Sequence, residues 1–111
     1  MENYKKLLKE MQGNIKKLSQ KTPEQMKSFL KFKDEVDKKG KLSTKIKALI
    51  GIACAITGHC EWCIAAHVKE ALDAKATEEE ILEASWVAVL MGGGPALMYA
   101  QGVLKALEDL K

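Results

Sequence analysis

Arginine is missing from this chain. All 18 basic residues are lysine, set against 15 acidic residues, for a formal net charge of +3. The guanidinium is the side chain that grips phosphates and carboxylates through a planar, bidentate fork. Its absence argues against a site built to hold a nucleotide or a dicarboxylate. Long apolar runs are also lacking: none reaches the roughly 20 residues that cross a bilayer. The N-terminus is Lys-rich and amphipathic, with no signal-peptide apolar region. The cytoplasm is therefore the expected location, and no membrane partner is expected. Three cysteines are too few, and odd in number, for a secreted disulfide framework. In a reducing compartment a Cys-x-x-Cys pair points to catalysis or metal binding. No segment alternates with period two, so no strand is expected. There is no internal repeat and no low-complexity stretch.

What is present reads as one all-α domain spanning residues 1–111. The chain is 47% hydrophobic and 30% charged, ordinary for a globular protein. Its size makes a partner subunit relevant to stability. Charge is unevenly spread. Residues 1–47 hold 14 lysines against 6 acidic residues, a net of +8, and residues 48–111 hold 4 against 9, a net of −5. The lysines lie on the polar faces of amphipathic helices with no aromatic platform between them. A solvated face that complements the acidic half or a neighbouring subunit accounts for them, and no nucleic-acid partner is expected.

About six helices are predicted. Tyr4, Leu7, Leu8, Met11, Ile15 and Leu18 repeat at helical spacing over residues 3–19, an N-terminal extension of the core. Thr22-Pro23-Glu24-Gln25 reads as a capping box with Pro at the first helical position. The helix that follows carries Met26, Phe29, Leu30 and Val36 on its apolar side and ends at Gly40. Ser43 or Thr44 opens a third helix, apolar on every side from Ala48 to Ile56, which predicts burial on every side; Cys54 within it is expected to be buried and inert. Gly58 closes it. Residues 60–73 form the fourth helix. Thr77-Glu78-Glu79-Glu80 caps a fifth, through Ile81, Leu82, Trp86 and Leu90. Gly92-Gly93-Gly94 breaks it and Pro95 begins the last, to about Leu110. The triple glycine lacks the strand before it and the Lys-Ser/Thr after it that a phosphate loop requires. Trp86, Met91, Met98 and Tyr99 follow helical spacing and read as core or interface.

Chemistry concentrates in Cys60-Glu61-Trp62-Cys63 and His67. Residues at i, i+3 and i+7 stack along one helix face, giving a nucleophile, a second thiol to resolve it, and a base. Cys60 and Cys63 fall in the first turn, where unpaired N–H groups and the helix dipole favour a thiolate. His67, one turn below Cys63, can take its proton. Oxidation of one cysteine to sulfenic acid and attack by the other gives an internal disulfide, which an external dithiol must reduce. Zinc is the rival: His59, Cys60, Cys63 and His67 are ligands of suitable type. Positions i and i+7, however, lie about 10 Å apart along a helix axis, and a second ligand pair is missing. No metal and no bound cofactor are therefore expected. Covalent haem needs His directly after the second cysteine, where Ile64 stands. A thioredoxin fold needs strands around the motif. His59 is expected as an exposed residue at the start of the helix. Trp62 could shield the thiols from water or make a packing or subunit contact.

The Cys60-x-x-Cys63-x-x-x-His67 motif has a distinctive setting. The apolar helix Lys45–Thr57 precedes it, and Glu79-Glu80-Ile81-Leu82-Glu83-Ala84 and Met91-Gly92-Gly93-Gly94-Pro95 follow it. Together these segments resemble the carboxymuconolactone decarboxylase family, and within it the alkyl hydroperoxidase D branch, over roughly residues 25–108. The resemblance implies an all-α fold assembled as a homotrimer or homohexamer. It implies Cys63 as the peroxide-reactive thiol, Cys60 as its disulfide partner and His67 in the proton relay. Its substrate would be a small hydroperoxide or a disulfide, and its reductant a thioredoxin-like or lipoylated partner. The pattern departs at one position. Where the branch carries a glutamate twelve residues before the first motif cysteine, this chain has Ala48; either another carboxylate substitutes, with Glu61 nearest in sequence, or peroxidase turnover is weak. Two alternatives stand beside this reading: decarboxylation of a lactone acid, which the missing arginine and the cysteine pair both disfavour, and a non-enzymatic metal-binding or redox-sensing module.

Overall fold

A computed structural model describes residues 3–111 as five α-helices, with no strand among them. Met1 and Glu2, part of the expected 1–111 domain, lie outside the described residues. The helices are α1 (Tyr4–Lys21), α2 (Pro23–Asp37), α3 (Thr44–Thr57), α4 (Glu61–Asp73) and α5 (Glu78–Leu110). The expected break at the three glycines is present: α5 is two helical arms joined at a kink, so the count is close to the six expected. At the kink Gly93 alone leaves helical geometry, at φ +70° and ψ −153°. That region is essentially open only to glycine. Pro95 then sits in the first turn of the second arm, where its missing N–H costs nothing.

Local chemistry explains most boundaries. Asn3 caps α1, accepting from the N–H groups of Lys5 and Lys6. Ser43 caps α3 through Ile46 N–H. Thr77 and Glu80 form a reciprocal capping box on α5, as read from the sequence. Thr22 does not cap α2: its hydroxyl donates to the Leu18 carbonyl at 2.8 Å and closes α1 instead. With one residue between the two helices, the same hydroxyl is in reach of both ends, and the orphan carbonyl takes it. Helix α2 stops at Asp37, three residues before Gly40; Lys47 of α3 reaches across and donates to the carbonyls of Val36 and Lys38 at its C-terminus.

Helices α3, α4 and α5 pack against one another, and α1 lies across α4 and α5. Ile52, Ile56, Ile64, Val68, Ile81, Val103 and Leu107 are almost fully buried between them, each worth roughly 1.5–3 kcal/mol on removal from water. Tyr4, Leu7 and Leu8 bring α1 into that core. Helix α2 packs on α1 and buries none of its residues. Helix α3 is not buried all round, contrary to what its composition predicts. Ile46, Ile50, Cys54 and Thr57, one step of three or four residues apart, form an exposed stripe. Trp86, Met91 and Met98 are likewise exposed, so none of the three is core in this chain. Helix α5 has the length and composition of a membrane-crossing helix, although it carries no unbroken apolar run of that length. Here its Ile81, Ala88, Ala96, Val103 and Leu107 face the protein interior.

Candidate active site

The turn between α3 and α4 places the cysteines. Cys60 N–H donates to Ala55 O and His59 N–H to Ile56 O, each at 3.1 Å, the paired bonds that terminate a helix with a left-handed residue. That residue is His59, at φ +56°, a conformation usually left to glycine. Its exposed ring stacks on Tyr99 of α5, with centroids 4.7 Å apart and planes within 6°. Cys60 then becomes the N-cap of α4: its Sγ accepts from Cys63 N–H at 3.1 Å. One residue thus ends α3 and begins α4, fixing Cys60 and Cys63 on the first turn, where they are joined by a disulfide. Both are half-buried. When the bond is reduced, the free N–H groups of that turn favour a thiolate.

His67 lies one turn further along α4. With Cys63 and Trp62 it lines a cavity of about 440 Å³ whose other walls come from α1 and α2, chiefly Met11, Phe29 and Leu30. The three residues singled out by the motif are therefore brought to one region, with Cys63 and His67 facing one space. The four residues considered as zinc ligands are not assembled: the cysteines are bonded to each other and His59 is turned onto Tyr99. Among the described residues, no group of three or more His, Cys, Asp and Glu is arranged around a common point. Cys54, expected to be buried, is exposed on the open stripe of α3 and unpaired. Glu61, the carboxylate nearest in sequence, lines a different cavity with Tyr4 and Tyr99.

Two contacts of His67 have no counterpart in the motif. Its Nδ1 is 3.1 Å from Glu70 Oε2, and the other oxygen of Glu70 accepts from Lys33 Nζ of α2, also at 3.1 Å. The hydrogen bond from His67, then the lysine, hold the Glu70 carboxyl below its ordinary pKa despite partial burial. Lys33 is raised above the usual lysine value, first by Asp37 and then by Glu70. The second contact is with Gly51 of α3. A Cβ on that residue would stand 2.7 Å from His67 Nδ1 and 2.9 Å from Cε1. The imidazole therefore rests on bare backbone. A glycine inside an otherwise apolar helix was the available signal, since it costs about 1 kcal/mol there and calls for a packing reason. Glu70 and Lys33, from two separate helices, carried no such signal.

An all-α chain with a disulfide across a helix N-terminus and an imidazole one turn below defines a class of helical thiol proteins. The chain belongs to the carboxymuconolactone decarboxylase family, whose profile matches residues 23–106. It is similar to a carboxymuconolactone decarboxylase family protein of Legionella pneumophila, solved in its apo form. That match has a TM-score of 0.92 and 37% identity, and covers 96% of this chain and 95% of the other. A family protein of Thermotoga maritima, described with a suggested involvement in the antioxidative response, matches with a TM-score of 0.83 and 28% identity over 95% of this chain and 89% of its own. Among curated sequences, the uncharacterized protein 4 of the cox locus of Paracoccus denitrificans is 40% identical over 75% of each chain. An uncharacterized protein of Cupriavidus necator is 32% identical over 97% of this chain and 96% of its own.

Proposed function

We propose that this protein is a thiol–disulfide oxidoreductase of the alkyl hydroperoxidase D type, working in the cytoplasm through a Cys60–Cys63 cycle. The observation that carries the reading is the disulfide across the first turn of α4, with His67 and Cys63 opening on one apolar cavity. In the reduced state His67 takes the Cys63 proton. The Cys63 thiolate attacks the outer oxygen of a hydroperoxide, the O–O bond breaks, and the departing alkoxide regains the proton from His67 and leaves as an alcohol. Cys63 is then a sulfenic acid. Cys60 attacks its sulfur, the S–S bond forms and water is released. A dithiol, thioredoxin-like or lipoyl, supplies two electrons and reopens the bond, becoming a disulfide itself. No bound cofactor is needed for these steps. A protein disulfide in place of the hydroperoxide would enter the same cycle by exchange.

Assembly into a homotrimer or homohexamer belongs to this reading. The exposed stripe of α3 and the exposed Trp86, Leu90 and Met91 of α5 are more apolar surface than a solvated monomer usually carries. Light scattering at micromolar concentration is expected to give a multiple of 12.3 kDa; a monomer contradicts the assembly. The activity itself is tested by following hydroperoxide consumption with several dithiols. Turnover lost on Cys63→Ser supports it. Carbon dioxide release from carboxymuconolactone, undiminished in the same variant, would establish decarboxylation instead.

A further inference from the structure

We propose that Glu70 is the positioning carboxylate of this site: it holds the His67 ring by Nδ1 so that Nε2 is left to take the Cys63 proton. Lys33 anchors Glu70 from α2. The inference rests on the Cys60–Cys63 reading above and adds to it the residue that sets the state of the base.

The Glu70 carboxylate decides where the proton lies. Ionised, it has no proton and can only accept, and its position beside His67 and Lys33 keeps it ionised. The proton in the 3.1 Å contact therefore sits on Nδ1. In the neutral ring only one nitrogen carries a proton, so Nε2 is the free acceptor. Three restraints fix this arrangement. Glu70 lies three residues after His67 on one helix face. Lys33 holds its second oxygen at 3.1 Å. Gly51 provides a floor against which the Nδ1 edge of the ring lies closer than any side chain would permit.

The cavity beside Glu70 bears on the same point. Ala48 of α3 and Glu70 line one cavity of about 210 Å³, together with Asp37, Lys47, Thr44 and Ala74. The small side chain at 48 leaves that cavity empty on the α3 side, and Ala48 is one helical turn before Gly51, on which the imidazole rests. Ala48 itself carries no group that could bond the ring. The carboxylate that meets the ring comes from α4. The charged and titratable groups that face Glu70 are His67 on its own helix, Lys33 and Asp37 on α2, and Lys47 on α3.

The test reads the ring directly. Imidazole ¹⁵N shifts of reduced protein, assigned with His59→Gln, are expected to show His67 protonated at Nδ1, and Glu70→Gln to move the ring toward the other tautomer. In the same samples, the pH midpoint for alkylation of Cys63 should move upward in Glu70→Gln. Peroxide-driven disulfide formation should slow by about 10- to 100-fold, the range seen when the carboxylate partner of a functional imidazole is removed from metal sites. Ala48→Glu placed in the Glu70→Gln protein should recover most of the rate, which repair of a merely structural contact would not do. Lys33→Met, which leaves His67 and both cysteines in place, should shift the same readouts in the same direction by less. A His67 ring protonated at Nε2 in the wild-type protein overturns the inference, as does a Glu70→Gln protein, folded by circular dichroism, whose alkylation midpoint and tautomer match wild type. Should the wild type ignore peroxide while the tautomer and midpoint behave as stated, the oxidoreductase reading fails and the positioning role of Glu70 stands.

Discussion

The two halves of α4 are built from different kinds of information. The N-terminal half holds Cys60 and Cys63, and the bonds that fix them are local: a helix-ending turn, one N-cap, one sulfur–sulfur bond. The C-terminal half holds His67 and Glu70, and what fixes them comes from elsewhere: Lys33 from α2 and the bare backbone of Gly51 from α3. The reactive atoms are set by spacing along one helix, whereas the base that serves them is set by three helices meeting. A motif can therefore be complete while its chemistry depends on residues far from it in sequence.

Substitutions at each half break this contrast in different ways. Cys63→Ser acts on the local half and should be the most severe, leaving no disulfide and reducing hydroperoxide consumption to the level without protein, while the thermal midpoint of the reduced form stays close to wild type. His67→Asn should lower the rate of disulfide formation by about 10²–10⁴-fold, the usual contribution of a positioned proton acceptor, measured by stopped-flow loss of free thiols. Gly51→Ala sharpens the comparison most, because it touches neither cysteine. Its methyl group would overlap the imidazole, so stability should fall by about 1–3 kcal/mol in urea denaturation and peroxide reactivity should fall with it.

Much of the architecture was legible in the sequence. The capping box at Thr77 and Glu80, the serine cap at Ser43 and the helix face of the cysteine motif depend on neighbours within a few residues, and those appear where they were read. Thr22 was misread because its hydroxyl has two helix ends within reach. The burial of α3 was misread because composition reports how apolar a helix is, not which side of it meets the rest of its own chain; Cys54 shares that exposed side. Glu61 was the nearest carboxylate to the motif along the chain, yet Glu70 is the one that meets His67, since i+3 on a helix is closer in space than a residue nearly two turns toward the other end and lining a cavity with Tyr4.

A smaller test concerns Tyr4, which ties α1 to the core away from the site. Burial, then Glu61 and Asp109, push its pKa up to about 12, and its hydroxyl has no hydrogen-bond partner. A folded-state pKa above the unfolded value of 10.0 means its contribution is complete below pH 10 and is lost as the pH rises toward 12. Tyr4→Phe should weaken that alkaline loss of stability and raise stability at neutral pH by about 1 kcal/mol, the low end of the cost of an unpaired buried hydroxyl. Thermal denaturation across pH 7 to 11 checks both.

The most direct measurement is peptide mass mapping of reduced protein after one equivalent of an organic hydroperoxide. A loss of about 2 Da confined to the peptide bearing Cys60 and Cys63, absent in Cys63→Ser, is the outcome expected of a reversible dithiol site. Sulfinic acid accumulating on a single cysteine, with no bridge formed, would contradict it.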